Sequence, residues 1–272
     1  MDELVIEAGR TERHYWRDLW RYRELFYFLA WRDILVRYKQ TVVGIAWAVI
    51  RPVLTMLVFT FVFGRLAKMD DGAVPYPILV FAGLLSWQFF ATALMESSNS
   101  LIVNASMISK VYFPRLIVPA SSVIVTFVDF LISVGIMAVL MVYYQFVPTW
   151  KIVFVPGFVA LVFFAAMGAG LWFGALNVRF RDFRYVVPFF VQLGFYVSPV
   201  GYVSTKVPEH LRLLYSLNPM VGVIDGFRWA ILGGEHQLNR PALAISVVVV
   251  LLLFSSGVWF FRRVERTFAD VI

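Results

Sequence analysis

The 272-residue chain contains no cysteine. Disulfides, thiolate metal sites and cysteine nucleophiles are therefore excluded. Charge is also scarce, with Asp, Glu, Lys and Arg making up 15% of the residues. No polar stretch is long enough to enclose a core of its own, so a large soluble domain is excluded as well. His14, His210 and His236 lie far apart in polar segments and do not resemble a metal site. No G-x-x-x-x-G-K-[ST] phosphate loop occurs, so the chain does not bind ATP in that way. The first forty residues lack the apolar core and cleavage site of a signal peptide. No strong internal repeat is visible, which argues against an inverted-repeat secondary transporter.

What is present is apolar and aromatic: 61% hydrophobic residues and 18% Phe, Trp and Tyr. That composition specifies a polytopic membrane protein. The net charge of +7 is spread over loops and termini and forms no single basic face, which argues against nucleic acid.

The chain is organised around Trp31 to Gly64, where a charged, aromatic run ending at Tyr38-Lys39-Gln40 passes into an apolar run beginning at Val42. About 20 apolar residues cross a bilayer, so the junction lies at a membrane surface. Before it, Trp16, Leu19, Trp20, Phe26, Tyr27, Ala30, Ile34 and Tyr38 recur at helical spacing. Arg17, Arg21, Glu24 and Arg32 take much of another face. Such a helix lies in the headgroup plane or packs on a partner protein.

Six spans are expected: about Val42–Gly64, Ile78–Leu101, Leu116–Tyr144, Ile152–Leu176, Val186–Val203 and Pro241–Phe261. The division is then an N-terminal segment (1–41), a six-span bundle (42–261) and a short tail (262–272). Gly168-Ala169-Gly170 in the fourth span suits close helix contact. The connection Ser204–Arg240 holds two semi-apolar pieces, Leu211–Leu217 and Met220–Leu232, parted by Asn218-Pro219. Neither is long enough to cross. They either dip back into the membrane, lining protein or water, or lie on the bilayer as an amphipathic loop. Six spans place both termini on one side. Seventeen of the 24 Lys and Arg residues then fall on that side, which makes it the cytoplasm.

Several residues stand out chemically. Arg51 inside the first span either snorkels to headgroups or faces water. Glu96 and Asp129 are the clearest acids within spans; they serve as a proton relay or as a helix-end acid and a hydrogen-bonded core acid. No acid pair or His-Asp cluster supports a membrane enzyme acting on lipid-linked sugars. The loop Asn104–Arg115 is short and basic, with apolar residues Met107, Ile108, Val111 and Tyr112. Together with the N-terminal helix it offers too little surface for a domain and enough to dock one.

Four motifs carry a resemblance. Arg37-Tyr38-Lys39, Thr41, Gly44, Trp47 and Pro52 fit R-Y-K-x-T-x-x-G-x-x-W-x-x-x-x-P; K-V-Y-F-P-R, N-V-R-F-R-D-F and L-N-P-M follow at Lys110–Arg115, Asn177–Phe183 and Leu217–Met220. In this order, over nearly the whole chain, they resemble the permease of type-2 ABC exporters for polysaccharides such as O-antigen, capsule or teichoic acid. The resemblance implies an all-α membrane protein of the bacterial cytoplasmic (inner) membrane, not itself an enzyme. It implies pairing with a second copy of itself and with two copies of a separate ATPase. ATP and Mg would belong to that ATPase, and this chain would hold no cofactor. Ala105, Ser106, Met107, Ile108, Ser109, Lys110, Val111 and Tyr112 would form the coupling helix. Trp16, Trp20, Arg23, Tyr27 and Trp31 would belong to the interface helix. Asn218 and Pro219 would sit between two short re-entrant helices at the external mouth. The substrate would be a lipid-linked glycan, with membrane lipid around it; a permease for drugs or lipids has the same architecture.

Sugar rings present apolar C–H faces that stack on aromatic rings, so Trp47, Phe59, Phe195 and Tyr196, with Arg51, are the candidate channel lining. Aromatic residues also form belts at both membrane interfaces, and most of the 27 Phe residues face lipid or neighbouring helices.

Overall fold

A computed structural model describes residues 15–39, 42–66, 74–233 and 238–268. Lys68, Asp70, Asp71, His14, His236, Gln40 and Thr41, together with the ends of the chain, lie outside the described residues. Among those described, all regular structure is helical: α1 (Tyr15–Arg21), α2 (Arg23–Lys39), α3 (Val42–Phe59), α4 (Tyr76–Val103), α5 (Ala105–Ile108), α6 (Ile117–Tyr143), α7 (Val155–Arg179), α8 (Phe183–Val197), α9 (Glu209–Tyr215), α10 (Pro219–Leu232) and α11 (Arg240–Val264). Short 3₁₀ turns flank α7, α9 and α11, and α3 ends in a π-helical stretch, Thr60–Leu66.

Among the described residues, five helical stretches are long and apolar enough to cross a membrane: Ala46–Leu66, Tyr76–Val103, Ile117–Tyr143, Trp150–Arg179 and Arg240–Val264. The fifth expected span, Val186–Val203, is where the expectation needs correction. Its helix α8 begins earlier, at Phe183, and stops at Val197 after 15 residues. Pro199 follows, and the residue before a proline is biased out of the helical region; Ser198 is extended, with ψ 150°.

α4 is the centre. It is apolar on every side, and a helix of that kind is buried; 83% of its most apolar stretch is enclosed. α6, α7, α10, α3 and α8 all pack against it. By contrast only 11% of the most apolar stretch of Ala46–Leu66 is buried. α7 and α11 approach closely through glycine: a Cβ at Gly257 would lie 2.4 Å from the carbonyl oxygen of Gly168.

Local chemistry explains the helix starts at one end. Asn218 caps α10, its side-chain oxygen accepting the Met220 N–H at 3.0 Å, with Pro219 in the first turn. Asn239 caps α11 in the same way through Ala242 N–H at 3.2 Å. The expected interface helix runs as α1 and α2 with one irregularity at Tyr22, across which Tyr22 N–H still bonds Asp18 and Phe26 N–H still bonds Tyr22.

Candidate docking and transport surfaces

The two described ends of the chain meet at one end of the bundle. The Tyr15 hydroxyl donates to Glu265 at 3.2 Å, and the Arg115 N–H donates to the same carboxylate at 2.8 Å. Arg262 lies 4.4 Å from the centre of the Tyr15 ring. Burial, then the adjacent Glu265 carboxylate, push the Tyr15 phenol upward, so it remains a donor. α1, the start of α6 and the end of α11 are thus tied into one unit.

α2 is fastened to the same end by charged contacts. Arg32 donates to Asn104 at 3.0 Å, at the junction of α4 and α5. Arg37 pairs with Asp129 of α6 at 2.9 Å and reaches Glu96 of α4 at 3.4 Å. The Tyr38 hydroxyl also donates to Asp129. Glu96 and Asp129 therefore meet on an arginine. Two carboxylates sharing one guanidinium hold a helix in place, which fits a helix-end acid and a hydrogen-bonded core acid rather than a relay.

The candidate interface residues turn outward. Trp16, Trp20, Tyr27 and Trp31 are exposed, with Arg23 over the Trp20 ring and Tyr27 stacked on Trp31. The expected single apolar stripe is in fact split. Leu29 and Ala30 are buried, with Leu19, Tyr22, Leu25 and Phe26 packed beside them, while the tryptophans occupy another side. A helix with one face on the bundle and another outward needs apolar residues on both, so three-and-four spacing alone did not separate them.

The candidate coupling segment also divides. α5 is a single turn, and Ser109 to Tyr112 continue without regular helix. Ile108 is only 4% exposed and Met107 packs against the core. Ser106, Ser109, Lys110, Val111 and Tyr112 are exposed, and Ala105 is half-buried. Met107, Ile108, Val111 and Tyr112 therefore do not form one outward apolar face: the first two anchor the loop, and the last two present it. Nearby, Asn177 of α7 donates to the Asn99 side chain at 3.1 Å and to the Ser98 carbonyl at 3.2 Å.

The candidate channel residues fall in two places. Phe59 and Phe195 meet with ring centres 5.4 Å apart, inside a cluster with Phe63, Trp87 and Tyr196. Trp47 is exposed one helical stretch away. Twelve residues separate it from Phe59, about 18 Å along a helix, so Trp47 stands outside this ring cluster. Arg51 is exposed on the surface of α3, as are Trp47, Leu54 and Val58. Tyr196 is 66% exposed on α8, where Tyr185, Phe189, Phe190 and Leu193 are exposed as well.

The model of the ABC-2 type transporter family matches residues 24–232. The chain belongs to the ABC-2 type transporter family. The O-antigen export system permease protein RfbA of Myxococcus xanthus is 31% identical over 261 residues, covering 94% of this chain and 98% of the relative. Its namesake from Klebsiella pneumoniae is 29% identical over 89% of this chain and 92% of the relative. The polysialic acid transport protein KpsM of Escherichia coli is 21% identical over 82% of this chain and 87% of the relative. The chain thus presents two exposed surfaces: outward aromatic and loop residues on α1, α2 and the Ala105–Tyr112 segment at one end of the bundle, and an apolar face on α3 and α8.

Sequence reasoning missed two arginines. Arg37 was legible only as part of a motif, and its two acidic partners lie 59 and 92 positions away. Arg228 was counted with the loop charges, yet it is 2% exposed. The available signal was its place inside the apolar stretch Met220–Leu232.

Proposed function

We propose that this chain is the permease subunit of an ATP-driven exporter that moves a lipid-linked polysaccharide across the bacterial cytoplasmic membrane. The near full-length likeness to polysaccharide-export permeases carries the reading. ATP hydrolysis belongs to a separate ATPase, two copies of which dock beneath two copies of the permease. The exposed part of the Ala105–Tyr112 segment and the outward face of α1 and α2 supply the docking surface.

α8 and the Ser198–Val203 segment together make the fifth of six spans. Fifteen helical residues cover about 22 Å, and the turns and bends of residues 198–203 carry the chain over the rest of a hydrocarbon core of about 30 Å. α9 and α10 are the re-entrant pair at the external mouth, with Asn218 and Pro219 between them. Both termini face the cytoplasm, supported by the meeting of Tyr15 with Glu265 and by the lysine and arginine bias. Arg228 is not a solvated loop charge, so removing it from the external count sharpens that bias. The exposed faces of α3 and α8 meet a second copy and enclose the glycan path, with Trp47, Arg51, Phe59, Phe195 and Tyr196 facing or supporting it.

The test is removal of the chain from its host. Surface glycan should disappear and lipid-linked glycan should accumulate inside, and re-expression should reverse both. Unchanged surface glycan would overturn the assignment.

A further inference from the structure

The segment that follows α8 is not helical, yet Ser198, Pro199, Val200 and Gly201 are buried. Exposed carbonyls in such a place need donors. One side chain supplies most of them. Arg228 Nη2 donates to the Val200 carbonyl at 2.7 Å and Nη1 to the Tyr202 carbonyl at 2.7 Å. Its Nε donates to the Leu79 carbonyl of α4 at 3.2 Å. Tyr76 of α4 donates to the Gly201 carbonyl at 2.5 Å, and Asn218 donates to the Ser198 hydroxyl at 2.9 Å.

The space for this arrangement is specific. A Cβ at Gly83 of α4 would lie 2.9 Å from Arg228 Nη2 and 2.9 Å from the Val200 carbonyl oxygen. The guanidinium and the unwound backbone are thus pressed against α4 at a position where only hydrogen fits. All three of the arginine's bonds go to carbonyl oxygens, none to a carboxylate. Asp225, one turn earlier on α10, has a buried Oδ2 without a hydrogen-bond partner. Asp225 is thus the electrostatic counterpart of Arg228 one turn away on α10, with no hydrogen bond between the two. The planar fork of Arg228 joins three backbone segments: α10, α4 and the end of α8.

We propose that Arg228 is a positioning residue for export, which pins the Ser198–Tyr202 segment to α4 and so fixes where the α8 end carrying Tyr196 stands at the external mouth. The mouth itself rests on the function proposed above; the pin rests on the geometry alone. A lysine cannot replace the fork, because one ammonium cannot bond carbonyls on both α4 and the segment while keeping the planar spacing.

The cysteine-free chain makes the test direct. Spin labels are placed on single cysteines at Tyr196 and at Trp150, on the loop before α7, in the permease–ATPase complex. Arg228→Met should shift or broaden the distance distribution between them. Export should fall at least tenfold while ATP turnover stays within about twofold, because the docking end is untouched. Arg228→Lys should give the same result, weaker. An unchanged distance distribution in Arg228→Met overturns the pin, whatever happens to export. If Arg228→Met does not accumulate, Tyr76→Phe and Gly83→Ala decide. They leave the arginine in place and disturb its partners; a shifted distance in both supports the pin, and wild-type distances in both overturn it. A shifted distance with no glycan exported even by the wild type would support the pin and count against the proposed function instead.

Discussion

Gly257→Ala adds one methyl group where two helices touch through backbone. The new Cβ would lie 2.4 Å from the Gly168 carbonyl oxygen, 3.1 Å from its carbonyl carbon and 3.2 Å from its Cα. Main chain cannot rotate aside as a side chain can. α7 and α11 must therefore separate by about 1 Å to restore contact near 3.5 Å. The same seam holds Trp172, stacked on Phe260 with ring centres 4.0 Å apart, its indole N–H donating to Ser256 at 3.1 Å. Overpacking of this sort costs about 1–3 kcal/mol, and loss of the indole hydrogen bond adds about 1 kcal/mol. Alanine's advantage over glycine inside a helix returns about 0.5–1 kcal/mol. The net is a destabilisation of about 1–3 kcal/mol. Gly135 of α6 is the internal control, because a Cβ there meets no heavy atom of the described residues within 4 Å. Gly135→Ala should stabilise by about 0.5–1 kcal/mol. Thermal unfolding of the two purified variants, in one detergent and followed by tryptophan fluorescence, should therefore shift in opposite directions. A Gly257→Ala midpoint at or above wild type, or an equal fall in both variants, would refute the packing argument.

Arg37→Ala leaves Asp129 and Glu96 without their shared guanidinium; with charge-assisted bonds worth about 1.5–3 kcal/mol and the site partly exposed, a loss of about 2 kcal/mol in the same unfolding assay is expected, and no loss would show the contacts to be idle. Single cysteines at Ser109, Lys110 and Tyr112 should cross-link to the partner ATPase, while one at the buried Ile108 should not; cross-linking only to lipid or to the other permease would remove the coupling assignment. An impermeant thiol reagent added outside cells should label a cysteine at His210 and spare one at Asp182; the reverse pattern would invert the orientation. Trp47→Ala with Tyr196→Ala should reduce export at normal protein level and leave ATPase assembly intact, and Phe at both positions should recover more activity than Leu. Equal recovery by Leu would make these lipid-facing rings.

The apolar runs were the legible part, because crossing a bilayer demands length and apolarity together and little else. Val42, Tyr76, Ile117 and Arg240 begin helices close to where the runs predict. Asn218-Pro219 parts α9 from α10 as expected, since an asparagine cap followed by proline starts a helix by local chemistry alone. The failures were of another kind. Ile108 and Val111 carry similar apolar side chains, and only the packing of the loop on the bundle sends one inward and the other outward. Arg228 looked like any loop arginine because its partners are carbonyl oxygens, which every residue has and which no pattern of side chains reveals. The pairing of Arg37 with acids on two other helices is equally invisible, since it joins positions far apart in the chain.

α4 is held on all sides and hydrogen-bonded at both tips, to Arg32 through Asn104 at one and to Arg228 through Leu79 at the other. A helix so enclosed cannot bend without opening gaps along every neighbour. It can only tilt as a whole. Its 28 residues form a lever about 42 Å long, and a tilt of about 5° would carry one tip sideways by about 4 Å at that length. A small push at the Asn104 end would thus reappear at the Leu79 end with no moving part between.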